Sequence, residues 1–229
     1  MHLSFIEKQA ANEIIACVLQ RIKTNEKTAA ISFSELHADL SAQAIKLSEK
    51  VRSIRPHYYG INRQAVIPNR AESLVVVRNQ YYATANGWHD IPPRLVPRDV
   101  FRSFQAMNYS MKKDIGNKLV IQSGYRSPAY QLFIFLFQLK NNEWSTESTL
   151  KTVALPGYSE HAAGNTQGLD LRASKFFGPH DMYDFSRVPA YRWMLQHARE
   201  FGFSLSYPKN NSTGTDFEPW HWRHGVSTT

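Results

Sequence analysis

The segment Gly168-Leu169-Asp170-Leu171-Arg172 carries the pattern from which the class of fold follows. Apolar and polar residues alternate here with the period of a strand, so Leu169 and Leu171 face a core and Asp170 faces the other way. Asp170 follows His161 by nine residues, and His161 closes the run Ser159-Glu160-His161. Near the C-terminus Glu218-Pro219-Trp220-His221 answers it with a second imidazole and a second carboxylate. Two histidines and one aspartate make a three-ligand set of the kind that holds a catalytic Zn²⁺ and leaves a coordination position open. Glu218 stands three residues before one ligand, placed to serve as a general base in metal-assisted hydrolysis.

Trp220–His224 reads as the last strand, with His221 and Arg223 sharing one face. Pro219 cannot donate to a ladder, so Glu218 falls just outside it. His224 stands three residues beyond His221, which on a strand turns it to the opposite face. It is left out of the ligand set. Phe203–Tyr207 reads as another strand, after a helix from about Val188 to Phe201 that stops at Gly202. Lys118–Gln122 is a strand running into Ser123-Gly124-Tyr125-Arg126-Ser127-Pro128. There Ser127 is an N-cap, Pro128 takes the first helical position, and Arg126 rides the tight turn between the two. Asp99 opens a helix in which Val100, Phe104, Met107, Met111 and Ile115 recur at helical spacing up to Gly116. Ser73–Arg78 is a β-branched strand, and Thr152–Leu155 reads as a short one. The residues from 79 to 97, rich in proline near their end, read as irregular.

The N-terminal part is helical. Residues 4–23 carry one apolar stripe through Ile14, Val18 and Ile22, and a second helix is expected from an N-cap at Ser34 through Leu47 and Val51 to Pro56. A polar, proline-containing stretch from Arg55 to Arg70 marks a loose boundary. Strands and helices alternate without βαβ regularity, so the expected class is α+β. That means a small antiparallel sheet flanked by helices and carrying the metal site, with an N-terminal helical extension. The expected division is an N-terminal section over 1–68 and a catalytic domain over 69–229.

The chain has 229 residues, 42% of them hydrophobic, enough to bury a core. A single cysteine, Cys17, excludes an internal disulfide and any cysteine-rich zinc finger. The net charge of +8 biases encounters toward anionic partners. The basic residues are scattered, Lys112-Lys113 being the densest pair, so no nucleic-acid partner is expected. No segment reaches the roughly 18–20 apolar residues of a membrane span. Ile14–Leu19 is too short for a signal-peptide core, so the protein is expected to stay in the cytoplasm, to leave by another route, or to be made with a leader that this chain lacks.

The gathered segments resemble the zinc D-alanyl-D-alanine carboxypeptidase family, VanY-like, which is related to the D-Ala-D-Ala dipeptidases and to hedgehog-type zinc domains. The resemblance rests on Ser123-Gly124-Tyr125-Arg126-Ser127, on Pro156 through Gly164, on Gly168-Leu169-Asp170-Leu171 and on Glu218-Pro219-Trp220-His221, in that order. It implies that His161, Asp170 and His221 bind Zn²⁺ and that Glu218 is the general base. It further implies that Arg126 stabilises the oxyanion and that Ser159 binds the substrate's terminal carboxylate. The implied substrates are peptidoglycan stem peptides, and the implied place of action is the cell envelope. The alternative is a non-catalytic zinc-containing cell-wall-binding module. Between His161 and Asp170 this chain is two residues longer than the family pattern, and Gly168 replaces the usual alanine two before the aspartate. Because Leu169 and Leu171 pin the strand, Asp170 is expected to remain the ligand while Asn165-Thr166-Gln167 bulges outward.

Overall fold

The computed structural model describes residues 2–68, 74–164, 166–175 and 182–225. In chain order the helices and strands are α1 (Phe5–Thr24), α2 (Phe33–His37), α3 (Ala42–Ser53), β1 (Leu74–Val77), β2 (Gln80–Thr84), β3 (Gly87–Ile91) and β4 (Arg94–Pro97). There follow α4 (Arg98–Ile115), β5 (Leu119–Ser123), α5 (Pro128–Asn141), α6 (Thr146–Thr152), β6 (Gln167–Ala173), α7 (Pro189–His197), β7 (Phe203–Leu205) and β8 (His221–His224). The class is α+β with small antiparallel sheets. The chain divides into two compact units. One comprises Met1–Pro68, Arg126–Ala162 and Asn211–Asp216, the other Asn69–Tyr125, Ala163–Asn210 and Phe217–Thr229.

The first unit is helical. Ile14 and Val18 of α1, Leu47 and Val51 of α3, and Leu132, Phe135, Leu136 and Leu139 of α5 form one buried core. The single long helix expected from Ser34 is instead two. Ser32, not Ser34, caps α2 in a reciprocal box with Glu35, which satisfies donors at both ends of the first turn. Ser41 then restarts the helix as the cap of α3. Its backbone N–H and hydroxyl both donate to the Glu13 carboxylate, at 2.6 and 2.7 Å, which holds the break in place. The strand expected over Thr152–Leu155 is also corrected. Ser145 caps α6, which runs to Thr152, because a side-chain acceptor at that position makes the helical start available.

The second unit holds the sheet, in the order β5-β6-β8-β7 and antiparallel throughout. Helices α4 and α7 supply Phe104, Met107, Met111 and Met194 to the core that Leu169, Leu171, Phe203 and Trp222 complete. The stretch from 79 to 97, expected to be irregular, is structured. β2 and β3 form a hairpin that closes over Ala85-Asn86 with Thr84 opposite Gly87, and β4 pairs with β1. Asn86-Gly87 carried that signal in the sequence. Gly87 has φ +113°, a value side chains seldom adopt. The Gln80 side chain seats the hairpin by exchanging two hydrogen bonds with the Ile121 backbone, at 3.2 and 2.8 Å. Of the strand expected from Ser73, Ser73 itself lies outside the described residues.

Gly124 is the tightest point of the turn after β5. A Cβ there would lie 2.2 Å from the Leu95 carbonyl oxygen, a backbone atom that cannot move aside cheaply. The same oxygen accepts a hydrogen bond from the Tyr125 N–H at 2.6 Å. Gly124→Ala is therefore expected to cost about 1–3 kcal/mol by overpacking. Thermal unfolding should read this as a melting temperature lower by roughly 2–4 °C per kcal/mol, and an unchanged midpoint would show that the turn is not tight.

Candidate metal centre

Three backbone devices build the site. The first is the pairing of β6 with β8, in which Asp170 stands opposite His221 and Leu169 opposite Trp222. Leu169 and Leu171 are fully buried, so the intervening Asp170 must project from the other face. On its second flank Asp170 stands opposite Ser123, just past a shift in the β5–β6 register between Ile121 and Ser123. Irregularities of this kind re-aim side chains beside functional sites.

The second device is a turn across Glu218-Pro219-Trp220-His221, closed by the His221 N–H donating to the Glu218 carbonyl at 3.1 Å. Proline suits the second position of such a turn, and the Trp222 indole N–H donates to the Pro219 carbonyl at 2.9 Å. Glu218 is further held by its own N–H, which donates to the Tyr207 carbonyl at 3.1 Å. The turn folds the Glu218 carboxylate back on the residue that follows it by three. Oε2 of Glu218 lies 3.8 Å from Nδ1 of His221, and Oδ1 of Asp170 lies 2.8 Å from the same nitrogen. Glu218 and His221 are both buried.

The third device is the short 3₁₀ turn Glu160–Ala162, which carries His161. Ser159 starts it. Its carbonyl accepts from the Ala162 N–H at 3.0 Å, and its hydroxyl oxygen accepts from the His161 N–H at 3.4 Å. The His161 carbonyl in turn accepts from the Arg126 N–H at 3.0 Å, which couples the Arg126 backbone to the histidine turn. Arg126 itself is half-buried on the turn between β5 and α5.

His161, Asp170 and His221 each offer one ligand atom, and these atoms all lie within 4.8 Å of one another. Nitrogen and carboxylate oxygen donors without a thiolate match a catalytic rather than a cysteine-rich structural zinc site. The residues present fit such an ion. His224, omitted from the ligand set, is elsewhere. Its Nε2 lies 2.9 Å from the Ser103 hydroxyl, its ring meets Phe203 edge-on, and burial holds its pKa below the ordinary histidine value.

Two points differ from expectation. Gln167 does not bulge outward; it is the first residue of β6, buried and paired with His224, because the ladder extends that far. Of the other loop residues, Asn165 lies outside the described residues. Sequence reasoning also missed Tyr207, whose buried ring lies tilted against the His221 imidazole, with 5.0 Å between ring centres, while its carbonyl accepts from the Glu218 N–H. Only the neighbouring Pro208 hinted that the strand ends before it.

Comparison with known proteins locates the same region. The D-alanyl-D-alanine carboxypeptidase family VanY matches residues 94–227. YodJ of Bacillus subtilis is 29% identical over 171 residues, 72% of this chain and 58% of that protein. The D-alanyl-D-alanine carboxypeptidase of Enterococcus faecium is 27% identical over 163 residues, 69% of this chain and 48% of that protein. The chain thus spans about half the length of these curated relatives. Among solved structures, the LD-carboxypeptidase LdcB shares the fold with a TM-score of 0.54, at 24% identity over 73% of this chain and 76% of that one.

If Asp170 completes the ligand set, Asp170→Ala abolishes tight zinc binding, while Thr166→Ala leaves about one zinc per chain. Metal analysis after gel filtration reads both. A full equivalent of zinc on the Asp170 variant would remove the aspartate from the set.

Proposed function

Because the chain belongs to the VanY D-alanyl-D-alanine carboxypeptidase family, and so to the zinc metallopeptidases, we propose that it hydrolyses peptides ending in D-alanine, with His161, Asp170 and His221 as ligands of a catalytic Zn²⁺. The observation that carries the proposal is the convergence of two carboxylates on one imidazole. Asp170 and Glu218 both approach Nδ1 of His221, at 2.8 and 3.8 Å, within the span that the family matches. A purely structural ion needs no second carboxylate at that distance, so the convergence favours an enzyme over a zinc-bearing binding module.

The bound ion would supply Lewis acidity, lowering the pKa of water toward about 7 and polarising a carbonyl. Glu218 takes the proton from the attacking water and returns it to the leaving amine. It is suited to this because the 218–221 turn sets its carboxylate near the ligand set without making it a ligand. Arg126 presents a planar guanidinium to the oxygen on which charge develops. Ser159 already accepts a hydrogen bond from its own turn, so its hydroxyl hydrogen is available to the substrate's terminal carboxylate. The substrates are peptidoglycan stem peptides, and the work is done at the cell envelope. The net charge of +8 raises the encounter rate with an anionic wall polymer. Among the described residues no helix is long and apolar enough to cross a membrane.

Two variants test the roles on a peptide ending in D-Ala-D-Ala. Glu218→Gln keeps its zinc and loses roughly 10²–10⁴ in kcat, the usual cost of removing a general base. Near-normal kcat would take Glu218 out of the reaction. Arg126→Lys keeps charge and zinc but loses the two-point fork, so kcat/KM falls at least about tenfold. Unchanged kinetics would return Arg126 to a structural role.

A further inference from the structure

The family match begins at residue 94, so it assigns nothing to the N-terminal section. Yet that section is bonded to the turn that carries Arg126. The Ser127 N–H donates to the Ala29 carbonyl at 2.8 Å, and the Ser127 hydroxyl donates to the Ile31 carbonyl at 2.6 Å. The same hydroxyl oxygen accepts from the Tyr130 N–H at 3.1 Å, capping α5. One side chain, 5% exposed, thus has its donor and an acceptor position both committed. The residue before it is tied in turn, since the Arg126 N–H donates to the His161 carbonyl at 3.0 Å.

The segment that supplies Ala29 and Ile31 is itself fixed. Thr28–Ala30 is a 3₁₀ turn, anchored by the Thr28 N–H and hydroxyl donating to the Asn25 carbonyl, at 3.1 and 2.5 Å. The Ile31 N–H donates back to the Thr28 carbonyl at 3.1 Å. Ile31 is buried in the core that α1 and α5 share. On another side Lys27, Thr28, Ala30 and Ile31 border an open pocket of about 250 Å³.

We infer that Ser127 is a positioning residue, through which the Thr28–Ile31 segment of the N-terminal section fixes the backbone from which the Arg126 guanidinium reaches the reacting carbonyl. The inference rests on the proposed role of Arg126. An arginine has four side-chain torsions, so a small rotation at its Cα moves the guanidinium far. A displacement of about 1 Å can cost on the order of 10²-fold in rate. Two backbone-anchored bonds on the next residue remove that freedom before substrate arrives.

The test is a double-mutant cycle in the full chain loaded with zinc, with a peptide ending in D-Ala-D-Ala as substrate, joined to amide hydrogen exchange. Ser127→Ala is expected to lower kcat at least about tenfold with KM within about threefold. Ser127→Thr, which keeps the hydroxyl, restores most of it. Added to Arg126→Lys, Ser127→Ala brings no further loss, because the positioned group is already gone. The Arg126 amide of Ser127→Ala exchanges at least about tenfold faster, whatever the activity. Losses that multiply in the double variant, or a threonine variant as slow as alanine, overturn the inference. If Arg126→Lys is itself silent, the catalytic reading of Arg126 falls, and the amide exchange alone then decides whether the segment positions this turn. Unaltered exchange overturns it.

Discussion

Antiparallel pairing of β6 with β8 sets Asp170 opposite His221, and the rest of the site is arranged around that register. The register is held from the opposite face, where Leu169, Leu171 and Trp222 are buried together. A slip of one residue would carry Asp170 and His221 into that core and bring the leucines out, so the apolar contacts of the sheet also select the geometry of the polar face. The result is a short contact of 2.8 Å between a carboxylate and an imidazole, both withdrawn from bulk water. Such a pair is costly to bury unless its groups satisfy one another or share an ion.

The other groups are added by turns rather than by regular structure. Glu218 owes its place to a proline turn outside the ladder, and His161 to a 3₁₀ turn started by Ser159. Arg126 comes from the strand-to-helix turn that Gly124 makes possible. Each turn is tied by backbone hydrogen bonds, so the side chains proposed to act here stand on supports with little freedom of their own. This is the arrangement that preorganised catalysis needs.

How much of this could be read in the sequence follows from how local each cause is. The Leu169-Asp170-Leu171 alternation is a property of three residues, and it gave the strand, the buried face and the outward aspartate together. The Ser127-Pro128 start of α5 and the Gly116 stop of α4 are equally local, and both stand as read. The break between α2 and α3 depends on Glu13, 28 residues away, and no window on the second helix contains it. The hairpin that closes over Ala85-Asn86 was signalled by Asn86-Gly87, but Pro92, Pro93 and Pro97 pointed to irregular chain. Tyr207 is the clearest case of the non-local kind. Its ring and carbonyl matter only once β7, β8 and the 218–221 turn are in place. Equally hidden was the core that joins α5 to α1 and α3, since apolar stripes show that a helix is buried and not against what.

This constellation is proposed as a metal-dependent peptidase site acting on D-alanine-terminated peptides. The decisive measurement is mass analysis of the products from a defined stem pentapeptide ending in D-Ala-D-Ala, comparing zinc-loaded protein with the same protein stripped by a chelator and then reloaded. The loaded protein is expected to release the terminal D-alanine, the stripped protein to release none, and reloading to restore the release. An intact peptide in all three samples, or cleavage indifferent to the metal, would contradict the proposal.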